Sequence, residues 1–229
     1  MISVMKKSYF LTGTDTDVGK TFIACALLHA WRAQGLRAVG YKPVAAGAEP
    51  DNNGVLRNDD AILLQAASAS GFTLSDINPV CLPEAIAPHI AAAHAGVQID
   101  INDLFMRFAL LREKTDRVVI EGAGGFVVPL DDHTDMSQLA RRCAAPVILV
   151  VGLRLGCLNH ALLTAQAIAA AGLPLAGWIG NVIDPDMPCI DENITCLRQR
   201  LVAPCLGIVP RLASAEDAVP YLQLSALNA

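Results

Sequence analysis

Charge is scarce in this 229-residue chain. Only 17% of its residues are Asp, Glu, Lys or Arg, and the formal balance is −5. That excludes a broad cationic face for nucleic acid, so an anionic ligand must be gripped by local groups. The seven cysteines, at 25, 81, 143, 157, 189, 196 and 205, form no C-x-x-C pair. Their odd count and scatter exclude a disulfide framework and a zinc site. Most read as small buried apolar groups in a reducing compartment, the cytoplasm. The start, residues 1–7, carries its basic pair behind a few apolar residues with no long apolar core after it, which is not the pattern of a secretory leader. The one stretch that could pass for a membrane span, 161–180, is split by Gly172 and Pro174 into a helix and a strand. No internal repeat or low-complexity linker breaks the chain. With 53% hydrophobic residues it reads as one large globular domain covering 1–229, binding neither nucleic acid nor membrane.

What is present is an alternation. Apolar, β-branched runs predict strands at 8–11, 38–41, 117–120, 147–151, 175–182 and 205–209. Helical patterns between them predict helices at 20–34, 59–69, 101–114, 136–142, 158–171 and 190–201. A run such as Val147-Ile148-Leu149-Val150-Val151 suits a parallel strand covered on both faces. The alternation predicts an α/β fold with a doubly wound, mainly parallel sheet, whose ligands sit beyond the carboxyl ends of the strands. Two irregular stretches, 47–56 and 71–95, are long enough to be functional. The end, 213–229, shows no clear element and reads as a surface segment of the same domain.

The segment Gly13-Thr14-Asp15-Thr16-Asp17-Val18-Gly19-Lys20-Thr21 follows a short apolar strand and opens onto a helix. Helix-start N–H groups are unpaired and partly positive, which suits phosphate oxygens. Lys20 can reach outer phosphates and the Thr21 hydroxyl can ligate Mg²⁺. The standard phosphate loop has Gly where Thr14 stands, and here Gly13 comes one residue earlier. Taken alone, the motif also fits a capped helix start with a solvated lysine.

Other polar residues fall at strand ends. Lys42 follows strand 38–41 and points to a reacting phosphate, although a snorkelling lysine would fit the same position. Of Asp59 and Asp60, one can cap the next helix while the other reaches a metal. Glu121 ends strand 117–120 before Gly122-Ala123-Gly124-Gly125, where a terminal carboxylate can hold Mg²⁺ beside a phosphate loop. Gly156-Cys157-Leu158-Asn159-His160 forms another strand-to-helix turn, with N–H groups suited to a carboxylate; His160 takes no role. Asn181 can read an adenine edge or brace a turn.

In this order the segments closely resemble the dethiobiotin synthetases. The likeness rests on the 13–21 loop, Gly40-Tyr41-Lys42-Pro43-Val44, Leu56-Arg57-Asn58 with Asp60, Pro88-His89, Glu121–Gly125, 146–152, Leu155-Gly156-Cys157-Leu158-Asn159-His160-Ala161, Leu175-Ala176-Gly177-Trp178 and Asn181. It spans nearly the whole chain and implies a phosphate-loop NTPase fold. It also implies an ATP- and Mg²⁺-dependent cyclo-ligase that makes dethiobiotin from 7,8-diaminononanoate and CO₂, through a carbamate and a carbamic–phosphoric anhydride. By the same likeness Lys20 and Lys42 are catalytic, and Thr21, Asp60 and Glu121 hold the metal. ATP would be bound by Asp17, Val18, Gly19, Lys20, Thr21, Phe22, Asp60, Glu121, Gly122, Ala123 and Gly124, with Asn181, Val182, Pro210, Arg211 and Leu212 around the adenine. Lys42, Gly156, Cys157, Leu158 and Asn159 would bind the diamine, its carboxylate tail lying across a homodimer interface.

The chain departs from the family pattern at three places. Ala46 stands where the family often has a substrate-associated serine. Asp17 replaces a frequent Glu, and Arg211 replaces an apolar aromatic residue. The competing reading is a nucleotide-switched partitioning ATPase of related fold. Those proteins carry a signature lysine early in the loop, at the position of Asp15 here.

Overall fold

A computed structural model describes residues 6–227; the stretch 1–5, most of the start that does not read as a secretory leader, and residues 228–229 lie outside it. In chain order the elements are β1 Lys7–Gly13, α1 Lys20–Ala33, β2 Ala38–Tyr41, β3 Val44–Ala46, β4 Glu49–Pro50, β5 Leu56–Arg57, α2 Asp59–Ala67 and α3 Leu74–Ile77. Then follow β6 Val80–Leu82, α4 Pro88–Ala95, α5 Ile101–Glu113, β7 Arg117–Glu121, α6 Met136–Cys143, β8 Val147–Leu153, α7 Cys157–Ala170, β9 Leu175–Val182, α8 Ile190–Arg200 and β10 Cys205–Val209. Two 3₁₀ turns, Glu216–Tyr221 and Leu224–Leu227, follow β10.

Six strands form one parallel sheet in the order β10-β9-β8-β1-β7-β2. The continuous apolar run of β8 is buried along its whole length, because helices cover both faces of the sheet. The α/β architecture read from the alternation is the one observed, and each of the twelve expected elements is present with ends shifted by two residues at most.

The chain runs outward from β1 to β2, returns to place β7 between them, and then crosses β1 to lay down β8. A crevice opens above the carboxyl ends of the strands at such a reversal. Register fixes what stands there. Glu121 lies beside Leu11 of β1, and Tyr41 of β2 lies beside Ile120 of β7. Lys42, one residue past Tyr41, is therefore level with Glu121, just where the β1–α1 loop begins.

Four expectations change. The irregular stretch 71–95 contains α3, β6 and α4, and β6 pairs in parallel with β3. Within 47–56, β4 pairs antiparallel with β5. The carboxyl-terminal segment is anchored: Ala218, Leu224 and Leu227 are buried, and the Tyr9 hydroxyl donates to the Leu227 carbonyl at 2.6 Å. Its small apolar residues fill the space beside α1 without helical or strand periodicity, so the pattern did not reveal them. Cysteine burial is also narrower than expected. All seven are free, Cys25, Cys143 and Cys157 are buried, and Cys189 is exposed.

Candidate active site

The β1–α1 loop turns on two left-handed residues, Asp17 (φ 57°) and Gly19 (φ 83°). Only glycine fits the second. A Cβ there would stand 2.2 Å from the Asn181 Nδ2. That amide donates to the Val18 carbonyl at 3.0 Å, so β9 braces the loop from outside. Gly19 caps α1 with no side-chain hydrogen bond, which leaves the first N–H groups of the helix facing outward.

A cleft of about 840 Å³ lies over this helix start. Lys20, 7% exposed, donates from Nζ to the Asp15 carbonyl at 2.8 Å. Lys42, 5% exposed, donates to Asp60 Oδ2 at 2.6 Å and Glu121 Oε1 at 2.8 Å. The Thr21 hydroxyl donates to the same Glu121 oxygen at 2.7 Å. Glu121 has no solvent exposure, and among the described residues its Oε2 has no hydrogen-bond partner. Asn58 sets the angle of α2: its Oδ1 caps the helix at the Ala61 N–H, and its amide donates to the carbonyls of Ala46 and Gly47. That orientation delivers Asp60 to Lys42 and leaves Asp59 exposed. The cap falls to Asn58, and neither aspartate performs it.

The electrostatics follow from burial and proximity. For Lys42 burial is the largest influence and opposes the charge; Glu121 and then Asp60 outweigh it, so its pKa lies above that of an ordinary lysine. Burial pushes Lys20 down; Glu121 counters this, Lys42 adds to it, and the net value lies below an ordinary lysine. Burial pushes Asp60 up, but the charge and hydrogen bond of Lys42 prevail and hold it below the usual carboxylate range. Cys25, behind the carboxylates on α1, is pushed up to about 12 by burial and then by Glu121 and Asp60, so its thiol is no nucleophile at neutral pH.

The structure gathers Asp17, Gly19, Lys20, Thr21, Phe22, Lys42, Asp60, Glu121, Ala123 and Gly124 on one cleft. Asn181, Val182, Pro210, Arg211 and Leu212 line an adjoining pocket of about 230 Å³, and Phe22 borders both. Val18 and Gly122 face the protein: Val18 is 1% exposed, and Gly122 packs against Phe10. Gly156, Cys157, Leu158 and Asn159 line neither space; they form the turn from β8 into α7.

Sequence reasoning missed the opposite wall. Leu63, Ala85, Ile86, Ala87 and Val128 give the cleft an apolar side facing its charges. The proline-rich stretch flagged as a long loop was the available signal, but its pairing through β6 to β3 was not visible. Asn78 was also missed. Buried below the cleft, its amide donates to the Lys42 carbonyl at 2.8 Å and fixes the backbone that carries the lysine.

A family model described as an AAA domain matches residues 7–219. The chain is 56% identical over 212 residues to the ATP-dependent dethiobiotin synthetase BioD of Aromatoleum aromaticum, covering 93% of this chain and 94% of that one. It is 51% identical to the BioD of Cellvibrio japonicus, with 97% and 98% covered. Against the BioD of Nitrosospira multiformis the identity is 53%, with 90% and 89% covered. Among solved structures, the septum site-determining protein MinD of Pyrococcus horikoshii in complex with Mg-ADP superposes with a TM-score of 0.60 at 17% identity, covering 98% of this chain and 99% of that one. A ParA family ATPase of Chlorobium tepidum gives 0.58 at 13% identity, with 98% and 97% covered. Those two share the fold of a phosphate-loop NTPase with this protein. The extent and identity of the sequence matches decide the family: the chain belongs to the ATP-dependent dethiobiotin synthetases.

Proposed function

We propose that this protein closes the cyclic urea of dethiobiotin from 7,8-diaminononanoate, CO₂ and ATP, as a biotin-pathway ligase of the cytoplasm. The observation that carries the reading is the buried Lys42 ammonium, held between Asp60 and Glu121 and sharing a cleft with the phosphate-loop Lys20. The apolar wall of Leu63, Ala85 and Ile86 suits an alkyl chain on the same cleft.

The reaction begins with a neutral amine of the diamine attacking CO₂. Nearby ammonium groups favour the neutral form by like-charge repulsion and then attract the carbamate that results. The carbamate oxygen attacks the γ-phosphorus and ADP leaves, giving the mixed anhydride. The second amine attacks its carbonyl carbon and expels phosphate. At about 4 Å and an effective dielectric of 20, two unit negative charges repel by about 4 kcal/mol. Lys20 and Lys42 offset that repulsion between carbamate and triphosphate. No protein nucleophile takes part.

Thr21, Asp60 and Glu121 would hold Mg²⁺. A hydroxyl and two carboxylates are the hard oxygen donors this ion takes when it shares its shell with phosphate and water, and the unpartnered buried Glu121 Oε2 fits a ligand role. When bound, the ion supplies charge compensation to the β- and γ-phosphates. If Asp60 and Glu121 hold the cation, the Lys42 ammonium would be released from them and could face the carbamate. The pocket of Asn181, Val182, Pro210, Arg211 and Leu212 would take the adenine. Asn181 commits its Nδ2 to Val18, which leaves Oδ1 to accept from the adenine amino group. The α7 turn would bind the substrate's carboxylate from across a homodimer interface.

Incubation with the diamine, bicarbonate and Mg-ATP yields dethiobiotin and one phosphate per turnover. Phosphate release that does not depend on the diamine at saturating ligands would overturn the reading. The partitioning-ATPase alternative is not favoured, since Asp15 occupies the position of its signature lysine.

A further inference from the structure

The phosphate loop and the turn into α7 are joined by a contact that neither the fold nor the chemistry above requires. The Arg154 Nη2 lies 2.5 Å from Asp15 Oδ2. Among the described residues this is the only side-chain partner of Arg154. Asp15 is a junction. Its Oδ1 accepts from the Thr16 N–H at 2.8 Å, and its carbonyl accepts from Lys20 Nζ at 2.8 Å. Arg154 is a junction as well, since its carbonyl accepts from the Cys157 N–H, the first residue of α7, at 3.0 Å. The rest of the loop leans on the same strand. Thr14 donates its N–H to the Val150 carbonyl at 3.0 Å, and a Cβ on Gly152 would stand 2.8 Å from Val18. A continuous path therefore runs from Lys20 through Asp15 and Arg154 to the N–H groups that open α7.

We infer that Arg154 is a positioning residue that couples nucleotide occupancy at Lys20 to the affinity of the α7 turn for the anionic end of the second substrate. The inference deepens the proposed function and rests on it. Both side chains of the pair are more than 40% exposed, and such a pair contributes little to folding stability. Its value lies in what it joins. Without nucleotide, the Asp15 backbone is held by Lys20 while its carboxylate is held by Arg154. When Lys20 moves to phosphate oxygens, Arg154 becomes the remaining cation on Asp15. The pair tightens and holds residues 155–159 so that the Leu158 and Asn159 N–H groups, beyond the Cys157 N–H already taken by the Arg154 carbonyl, are presented. Nucleotide thereby tightens the diamine, and by linkage the diamine tightens nucleotide by the same factor.

The test measures diamine dissociation constants by calorimetry, with and without a non-hydrolysable Mg-ATP analogue, in the wild type, Arg154→Met, Arg154→Lys and Asp15→Asn. In the wild type the analogue lowers the diamine constant by roughly five-fold or more, the size of an ordinary coupling between sites. In Arg154→Met the ratio falls to about one and the affinity for the analogue alone falls with it, while the melting temperature stays at the wild-type value. Arg154→Lys keeps the cation and most of the ratio; Asp15→Asn loses it. A wild type without coupling, or an Arg154→Met that keeps the ratio, overturns the inference. Wild-type protein that never turns over the diamine overturns the functional reading and this inference together. Turnover with an unchanged ratio in Arg154→Met overturns this inference alone.

Discussion

The ammonium of Lys42 stands 2.8 Å from Glu121 Oε1, and neither side chain is more than 6% exposed. An ion pair this deep is maintained because each partner is the other's counter-charge; removing one strands the other. Lys42→Met should therefore act twice. In nucleotide-free protein it lowers stability by about 3 kcal/mol, the cost of leaving a buried carboxylate uncompensated. In catalysis, on the proposed role of Lys42, it removes a cation facing the developing charge, a loss of roughly 100-fold or more in kcat. Denaturant titration and diamine-dependent phosphate release check the two separately. A variant with wild-type turnover would remove Lys42 from the chemistry.

The pH response separates the two lysines. The pKa of Lys42 is raised in the fold, first against burial and then by Glu121 and Asp60. Its pairing stabilises below the ordinary lysine value and is lost as pH rises through the higher one. Asp60 is depressed, with burial opposed by Lys42, so its contribution is present above the usual carboxylate value and lost as pH falls through the lower one. Lys20 is lowered by burial and then by Lys42, with Glu121, Asp60 and Asp17 opposing, so it sheds its proton before an ordinary lysine does. The alkaline limb of kcat/KM for ATP, which reports free enzyme, should fall below the ordinary lysine range. The limb of kcat, which reports the bound complex, should lie higher because triphosphate favours the charged form. Coincident limbs in the two pH–rate profiles would assign the titration to another group.

Much of this site was legible before any coordinates. Lys42, Glu121 and the 13–21 loop each follow a clear apolar strand, and strand ends of a parallel sheet converge by topology. Asp60 needed only a helix start. What stayed hidden depends on pairings too short to carry a period: β3 and β6 have three residues each, yet their pairing holds the Ala85–Pro88 wall against the cleft. The Asn78 bond to the Lys42 carbonyl joins residues 36 apart, and the Arg154–Asp15 pair joins residues 139 apart. Neither leaves a local mark. The buried carboxyl-terminal turns escaped for the same reason, being held by side-chain fit to α1 without a repeating pattern.

Gly19 and Asn181 make a paired prediction. Gly19→Ala introduces a Cβ at a left-handed φ and 2.2 Å from the Asn181 amide. The strained backbone alone costs about 1–3 kcal/mol, and nucleotide affinity should fall because the loop shifts. Asn181→Ala removes the donor to the Val18 carbonyl and costs about 1 kcal/mol. The double variant Gly19→Ala/Asn181→Ala relieves the collision but keeps the strain, so its loss should be smaller than the sum of the two. Denaturation midpoints with nucleotide titrations measure all three. Strict additivity would mean that Asn181 does not touch the loop in solution.

Ala46 offers a test in the direction of gain. It lines the cleft, is only partly buried, and its carbonyl is fixed by the Asn58 amide, so Ala46→Ser adds a hydroxyl without moving backbone. The resemblance places a substrate-associated serine at this position. If the missing hydroxyl leaves a diamine group served only by water, restoring it should lower KM for the diamine by roughly 2- to 10-fold, the worth of one hydrogen bond, with kcat and melting temperature unchanged. An unchanged KM would mean that the wild-type cleft already satisfies that group through its own backbone. The apolar wall of Leu63, Ala85 and Ile86 would then remain as the chief recognition element on that side.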